Sequence, residues 1–308
     1  MKMGKYLLHR IPQMFLVLLF ASISVFSLLQ FAPGDPILAL RNPLMTKVEV
    51  DQLYVRYGLD QPLYIQYFLW IGMVLQGDFG DSIRTNQPVS VLIFRRFTNT
   101  LALAGLSMTI AACLGIFAGV ISATRRGSVL DLSSMTIAIL GFSIPPFWLG
   151  ILLIILFSVM LKWLPAGGVG SFANLILPSI SLGTSAAAII ARMTRSAMLD
   201  VLNMNYIIMA RAKGLSENRI VFIHGFKNAV IPVLTILGQM AGAIMAGAVV
   251  TETVFNYPGI GLTLVKSLAE RDYPIIQAAL LVTSGCYILI SLIIDIAYTI
   301  VDPRIRYD

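Results

Sequence analysis

Charge is scarce in this sequence. Of its 308 residues only 12% are Asp, Glu, Lys or Arg, against roughly 25% in a soluble domain. Apolar residues make up 57%. A water-soluble body of this size cannot hide so much apolar side chain, so lipid must solvate much of it. Histidine and cysteine are nearly missing, with two of each. Cys113 and Cys286 lie in apolar runs and form no CxxC, and His9 and His224 are far apart. This argues against a zinc, other metal or redox site, and the cysteines read as small core residues. No GxxxxGK[ST] phosphate loop occurs anywhere, so the chain binds no nucleotide by that route. Asp78-Phe79-Gly80 mimics a kinase triplet, but no Gly-rich loop or His-Arg-Asp accompanies it, and a turn is expected there.

What is present is long apolar runs. Behind a basic N-terminus comes Ile11–Phe31. It exceeds the apolar core of a signal peptide and is close to the roughly 20 residues that span a bilayer, so it reads as an uncleaved first span. Five more follow at Asn99–Thr124, Leu132–Leu161, Leu175–Ala197, Ala229–Thr251 and Ile275–Val301. Backbone amides in lipid must be satisfied locally, which predicts helices. A barrel would need short alternating segments. The third run would be roughly 45 Å long at ~1.5 Å per residue. Pro145-Pro146 inside it must kink or break it. One bent crossing and a re-entrant pair are both possible.

The formal charge of +7 fits either a nucleic-acid partner or a membrane orientation. Placing the charges favours the second. With the N-terminus inside, Lys2, Lys5, Arg10, Arg125, Arg126, Arg192, Arg195, Arg211, Lys213, Arg219, Lys227, Arg304 and Arg306 are cytoplasmic. The short outer loops hold only Lys162, Lys266 and Arg271. This is a positive-inside bias, and it needs the third run to be a single bent crossing. Arg95-Arg96, just before the second span, runs against it.

The predicted architecture is therefore an all-α polytopic membrane protein with about six transmembrane helices and both termini cytoplasmic. Residues 1–31 hold the N-terminal segment and first span. Residues 32–98 form an outer helical cap, and 99–308 form the core of spans two to six. In the cap, Thr46-Lys47-Val48-Glu49 fits a capping box opening a helix that ends at Gly58. Asp60-Gln61-Pro62 starts another, running to about Gln76 before Gly77. Its Tyr64, Tyr67, Phe68 and Trp70 suit a helix lying against lipid headgroups.

The inner loop at 198–228 is the most informative stretch. Tyr206–Lys213 is helical by pattern. Gly214 can take the left-handed conformation that ends a helix, and Ser216 can cap the next. Pro232 marks the start of the fifth span. Two short helices meeting at a glycine, with basic and apolar residues mixed, suit docking into a groove of a partner protein. An ordinary basic loop satisfying topology is the alternative. A DNA-reading helix-turn-helix is disfavoured because the loop is tethered between two spans.

Ala210-Arg211-Ala212-Lys213-Gly214-Leu215-Ser216, followed by Pro232, resembles the cytoplasmic loop of ABC-importer permeases of the dipeptide/oligopeptide/nickel family. Further stretches match that family in its order. They are Pro33-Gly34-Asp35-Pro36, Gly58-Leu59-Asp60-Gln61-Pro62-Leu63, Gly77-Asp78-Phe79-Gly80, Glu252-Thr253-Val254-Phe255, Tyr257-Pro258-Gly259-Ile260-Gly261, Arg271-Asp272-Tyr273-Pro274 and Asp302-Pro303-Arg304-Ile305-Arg306. The likeness covers essentially the whole chain, and the segment after span one resembles the first of two paralogous permeases. Ile207-Ile208-Met209 and Phe97 depart from the family's pattern.

The resemblance implies a type I importer subunit in the bacterial cytoplasmic (inner) membrane. Its partners would be a second paralogous permease, two cytoplasmic ATPases and an extracytoplasmic binding protein. The chain itself would be no enzyme and bind no cofactor, with ATP and Mg on the ATPases. Ala210–Ser216 would be the coupling element. The expected cargo is a dipeptide or oligopeptide, with glutathione or a nickel chelate as alternatives.

Other residues are weaker candidates. Gly115 and Gly119 form a GxxxG in span two, and Gly238 and Gly242 form another in span five. They serve packing within the chain or contact with the second permease. Gln239, Met240 and Glu252 are candidates for lining the pathway. Asp295 reads as structural. Rival functions are an ion-coupled secondary transporter, which should show mid-span carboxylates and related halves, and a non-transporting membrane scaffold. The sequence shows no mid-span carboxylate and no repeat.

Overall fold

A computed structural model describes residues 3–31, 48, 54–55 and 60–301. The expected capping box at Thr46–Glu49, the helix end at Gly58, and the motifs Pro33–Pro36 and Asp302–Arg306 lie outside the described residues. The described residues form the helices α1 (Met3–Phe31), α2 (Leu63–Leu75), α3 (Val89–Thr124), α4 (Val129–Ser143), α5 (Pro146–Met160), α6 (Ala173–Leu202), α7 (Asn205–Ala212), α8 (Glu217–Val254), α9 (Ile260–Glu270) and α10 (Tyr273–Val301). Among the described residues there is no β-strand, only an isolated bridge between Asp81 and Pro88.

Among the described residues five helices, carrying Arg10–Ser27, α3, α6, α8 and Tyr273–Ala297, are long and apolar enough to cross a membrane. α4 and α5 pass the same test together but are bent by 98° at their junction, and counted as one span they bring the total to six. The break has a local cause. Ile144 is extended, the conformation favoured before proline. Pro145 then precedes the new helix and Pro146 opens it, where no amide hydrogen is needed.

Several helices are longer than the sequence predicted. α3 begins at Val89 rather than Asn99, so Arg95 and Arg96 lie inside it. Arg96 donates to the Pro258 carbonyl at 3.4 Å, which gives that residue a local role unrelated to orientation. The helix of the fifth span begins before Pro232, which lies inside α8. Near its start, α8 contains a π-helical stretch, Ile220–Phe226, and α5 ends in another, Ile154–Met160.

The chain divides into two compact units, residues 1–100 with 258–288 and residues 101–257 with 289–308. In the first, α1 packs on α2. Ser22 Oγ and Tyr67 OH lie 2.9 Å apart, and Phe26 meets Tyr67 edge-on with centroids 5.5 Å apart. Trp70 is buried beside Phe26, while Tyr64 and Phe68 face outward. A second apolar cluster joins Val89 and Ile93 of α3 to Ile260 of α9 and to Ile275, Ala278 and Ala279 of α10. The turn after α2 follows from Gly77, whose φ of +81° lets Asp78 N bond the Met73 carbonyl at 3.0 Å.

In the second unit α6 is the hub, and small residues let its neighbours come close. A Cβ on Gly115 or Gly119 would sit 2.7 or 2.6 Å from the Ala187 or Ala191 carbonyl of α6. A Cβ on Gly183 of α6 would sit 2.7 Å from the Ser107 carbonyl of α3. Ser181 of α6 donates to the Pro146 carbonyl at 2.5 Å, tying α6 to the start of α5. Gly238 of α8 admits Ile294 of α10.

Candidate functional site

The loop between α6 and α8 folds as a small helical knob. α7 ends because Gly214 adopts φ +75°, a conformation costly for any residue with a Cβ. Gly214 N then bonds the Arg211 carbonyl at 2.9 Å, and Leu215 N bonds that of Ala210 at 3.3 Å. Ser216 precedes α8 as expected, but its side chain makes no cap; its carbonyl accepts Ile220 N at 3.0 Å. Across the turn Arg211 Nε lies 2.8 Å from Glu217 Oε1, both side chains exposed.

One face of the knob is buried and the other is open. Ile207 and Ala210 sink into a cluster with Val120 and Ala123 of α3, Ala197, Met198 and Leu202 of α6, and Ile220, Val221 and Ala229 of α8. Leu215 packs at its edge. Ile208, Met209, Arg211, Ala212, Lys213, Gly214 and Ser216 are exposed. The outward face thus mixes apolar and basic groups on a buried apolar base.

Beside this seat lies an ion pair that the sequence reading missed. Asp131, buried in the first turn of α4, receives Arg195 Nε on Oδ1 and Arg195 Nη2 on Oδ2, each at 2.8 Å. The Ser122 hydroxyl of α3 also donates to Oδ1, and Gly127 N reaches Oδ2 at 2.9 Å. Ser128 caps α4 by accepting Asp131 N at 3.3 Å. The Ser128-Val129-Leu130-Asp131 spacing is a capping-box signal that could have located the acid. Nothing local could have named Arg195 as its partner.

The pathway candidates all lie on α8. Gln239 is exposed and Met240 half-buried, whereas Glu252 is fully buried at 0% exposure. An apolar cavity of about 230 Å³ is lined by Met108, Leu234, Leu237, Gly238 and Ile294, among others. Gly115 and Gly119 face α6 of the same chain, Gly238 faces α10, and Gly242 is buried in α8. Asp295 is half-buried in α10. Among the described residues no three or more His, Cys, Asp or Glu gather as a metal site.

A helical chain with this many bilayer-length apolar helices is a multi-pass membrane protein. It belongs to the family of binding-protein-dependent transport system inner membrane components, whose profile matches residues 115–307, while the family's N-terminal profile matches residues 3–104. The chain is 41% identical over 313 residues to a probable peptide ABC transporter permease, y4tP, of Sinorhizobium fredii, covering 99% of this chain and all of that one. It is 45% identical over 303 residues to the glutathione transport system permease GsiC of Escherichia coli, covering 98% of each. It is 42% identical over 316 residues to the oligopeptide transport system permease AppB of Bacillus subtilis, covering 99% of this chain and 100% of that one. Its fold resembles a chain of the MetNI methionine ABC transporter solved in inward-facing conformations. The TM-score is 0.60 at 21% identity, over 68% of this chain and 96% of that one. The chain is thus an inner-membrane permease subunit of an ABC importer and not an enzyme. ATPase and binding-protein partners are implied by the family, and ATP acts on the former.

Proposed function

We propose that this chain forms half of the translocation pathway for peptides handed over by an extracytoplasmic binding protein. A second, paralogous permease supplies the other half, and two cytoplasmic ATPases grip the inner knobs. The observation that carries this reading is the full-length likeness, at 41–45% identity, to permeases named for peptides, oligopeptides and glutathione. Glutathione is itself a tripeptide, so it is the specific alternative within the class.

Residues Ala210–Ser216 are the coupling element. Their exposed face meets an ATPase, and closure of the ATPases on ATP moves the knob. The knob's apolar seat passes that motion to α3, α6 and α8, switching the pathway between inward- and outward-facing states. In this arrangement both chain termini lie in the cytoplasm, residues 32–98 form the outer cap, and Gln239 and Met240 lie toward the pathway. Glu252, being fully buried, contributes to the shape of the outer end of α8.

Gentle detergent purification of the tagged chain from its native membrane tests the assembly. Mass spectrometry should find one further permease of similar size and P-loop ATPases. The neighbouring binding protein, titrated with dipeptides, longer peptides and glutathione, then identifies the cargo. A chain that emerges alone from membranes containing those partners overturns the reading.

A further inference from the structure

Four donor groups converge on the Asp131 carboxylate. They are the Ser122 hydroxyl of α3, Gly127 N in the α3–α4 turn, and Nε and Nη2 of Arg195 on α6. Arg195 Nε also reaches Ser122 Oγ at 2.9 Å. One buried carboxylate on α4 therefore ties that helix to two others, α3 and α6. The ends of α3 and α6 also form the seat of the knob. Val120 and Ala123 flank Ser122 on α3, and Ala197 and Met198 follow Arg195 on α6.

Packing alone does not call for a charge here, since well-packed apolar residues of similar volume often stabilise at least as well as a buried ion pair. A bidentate arginine–carboxylate pair adds geometric definition, because two parallel bonds admit one register between the helices. Helices held this way move together or not at all, whereas an apolar contact can slide.

We infer that Asp131 and Arg195 are positioning residues for energy coupling. They lock the ends of α3, α4 and α6 so that a displacement of α7 on its seat moves these helices as one body. The inference rests on the reading of Ala210–Ser216 as the coupling element. Ser122 supports the lock by holding both partners.

The test uses the complex purified from its native membrane, placed in lipid vesicles and supplied with its extracytoplasmic binding protein. The variants are Arg195→Lys, which keeps the charge but loses the fork, Ser122→Ala, which keeps the ion pair, and Gly214→Pro in the knob. Assembled complex, ATP hydrolysis, and import of labelled tri-alanine and labelled glutathione are measured together. A merely structural role would lower the amount of complex without changing substrate imported per ATP. The inference expects that ratio to fall about threefold to tenfold in assembled Arg195→Lys complex, less in Ser122→Ala, and also in Gly214→Pro. An unchanged ratio in Arg195→Lys beside a lowered one in Gly214→Pro overturns the lock and leaves the coupling element standing. An unchanged ratio in Gly214→Pro overturns the coupling element and the lock with it. Should Arg195→Lys fail to assemble, Ser122→Ala decides, and an unchanged ratio there overturns the lock.

Discussion

The Asp272 carboxylate accepts the Ser82 hydroxyl at 2.5 Å, although 190 residues separate them, and both side chains are buried. The same carboxylate accepts Ile83 N at 3.2 Å and Arg84 N at 3.3 Å. A turn before α3 is thereby pinned to the junction of α9 and α10. Replacing Asp272 by Ala leaves the buried Ser82 hydroxyl and Ile83 N without this acceptor, at about 1–3 kcal/mol each. The thermal midpoint of the purified chain in detergent should fall clearly for Asp272→Ala and less for Asp272→Asn. Equal midpoints for Asp272→Ala and the unmodified chain would exclude the pin.

Glycine replacement should have opposite outcomes at two positions of α3. At Gly119 a Cβ would press on the Ala191 carbonyl, which is backbone and cannot rotate away. Gly119→Ala should therefore destabilise, by about 1–3 kcal/mol as overpacked sites do. Gly105, on the same helix, has nothing within 4 Å of a Cβ. Gly105→Ala should be neutral or stabilise by up to about 1 kcal/mol through helix propensity. Thermal melts of both variants in one detergent check the contrast.

In the knob, stability and function should separate. The Arg211–Glu217 pair is exposed, and such pairs contribute about 0–1 kcal/mol. Arg211→Glu should leave the chain inserted and nearly as stable, yet abolish most ATP-driven uptake by reversing charge on the face proposed to meet the ATPase. Gly214→Pro should do the same for another reason, since proline cannot reach φ +75°. Uptake assays beside quantitative membrane blots distinguish this from loss of protein. Normal uptake by both variants would remove the knob from the mechanism.

At high pH the loop after α8 should loosen. Tyr257 is buried there, and burial, with the nearby Glu252 charge, pushes its phenol above the ordinary value. A raised folded-state value means stability that is intact below the unfolded tyrosine pKa near ~10 and lost as pH rises through the folded one. Tyr257→Phe should flatten the alkaline decline in a pH series of thermal midpoints. An identical decline in the variant would show that other groups cause it.

Much of this protein was legible without coordinates. Scarce charge and long apolar runs required lipid, and lipid required helices, because isolated amides in hydrocarbon are too costly. The helix stops at Gly77 and Gly214 were legible too, since a left-handed residue is a local backbone need that glycine answers. The break at Pro145-Pro146 was fixed by proline sterics, but its 98° angle was not. Tertiary structure alone decided that Ser82 meets Asp272, that Asp131 meets Arg195, and that Gly115 and Gly119 face α6. Those contacts join residues far apart in the chain. Periodicity and capping rules read neighbours within a few residues, whereas a partner 64 or 190 positions away is selected by how the helices pack.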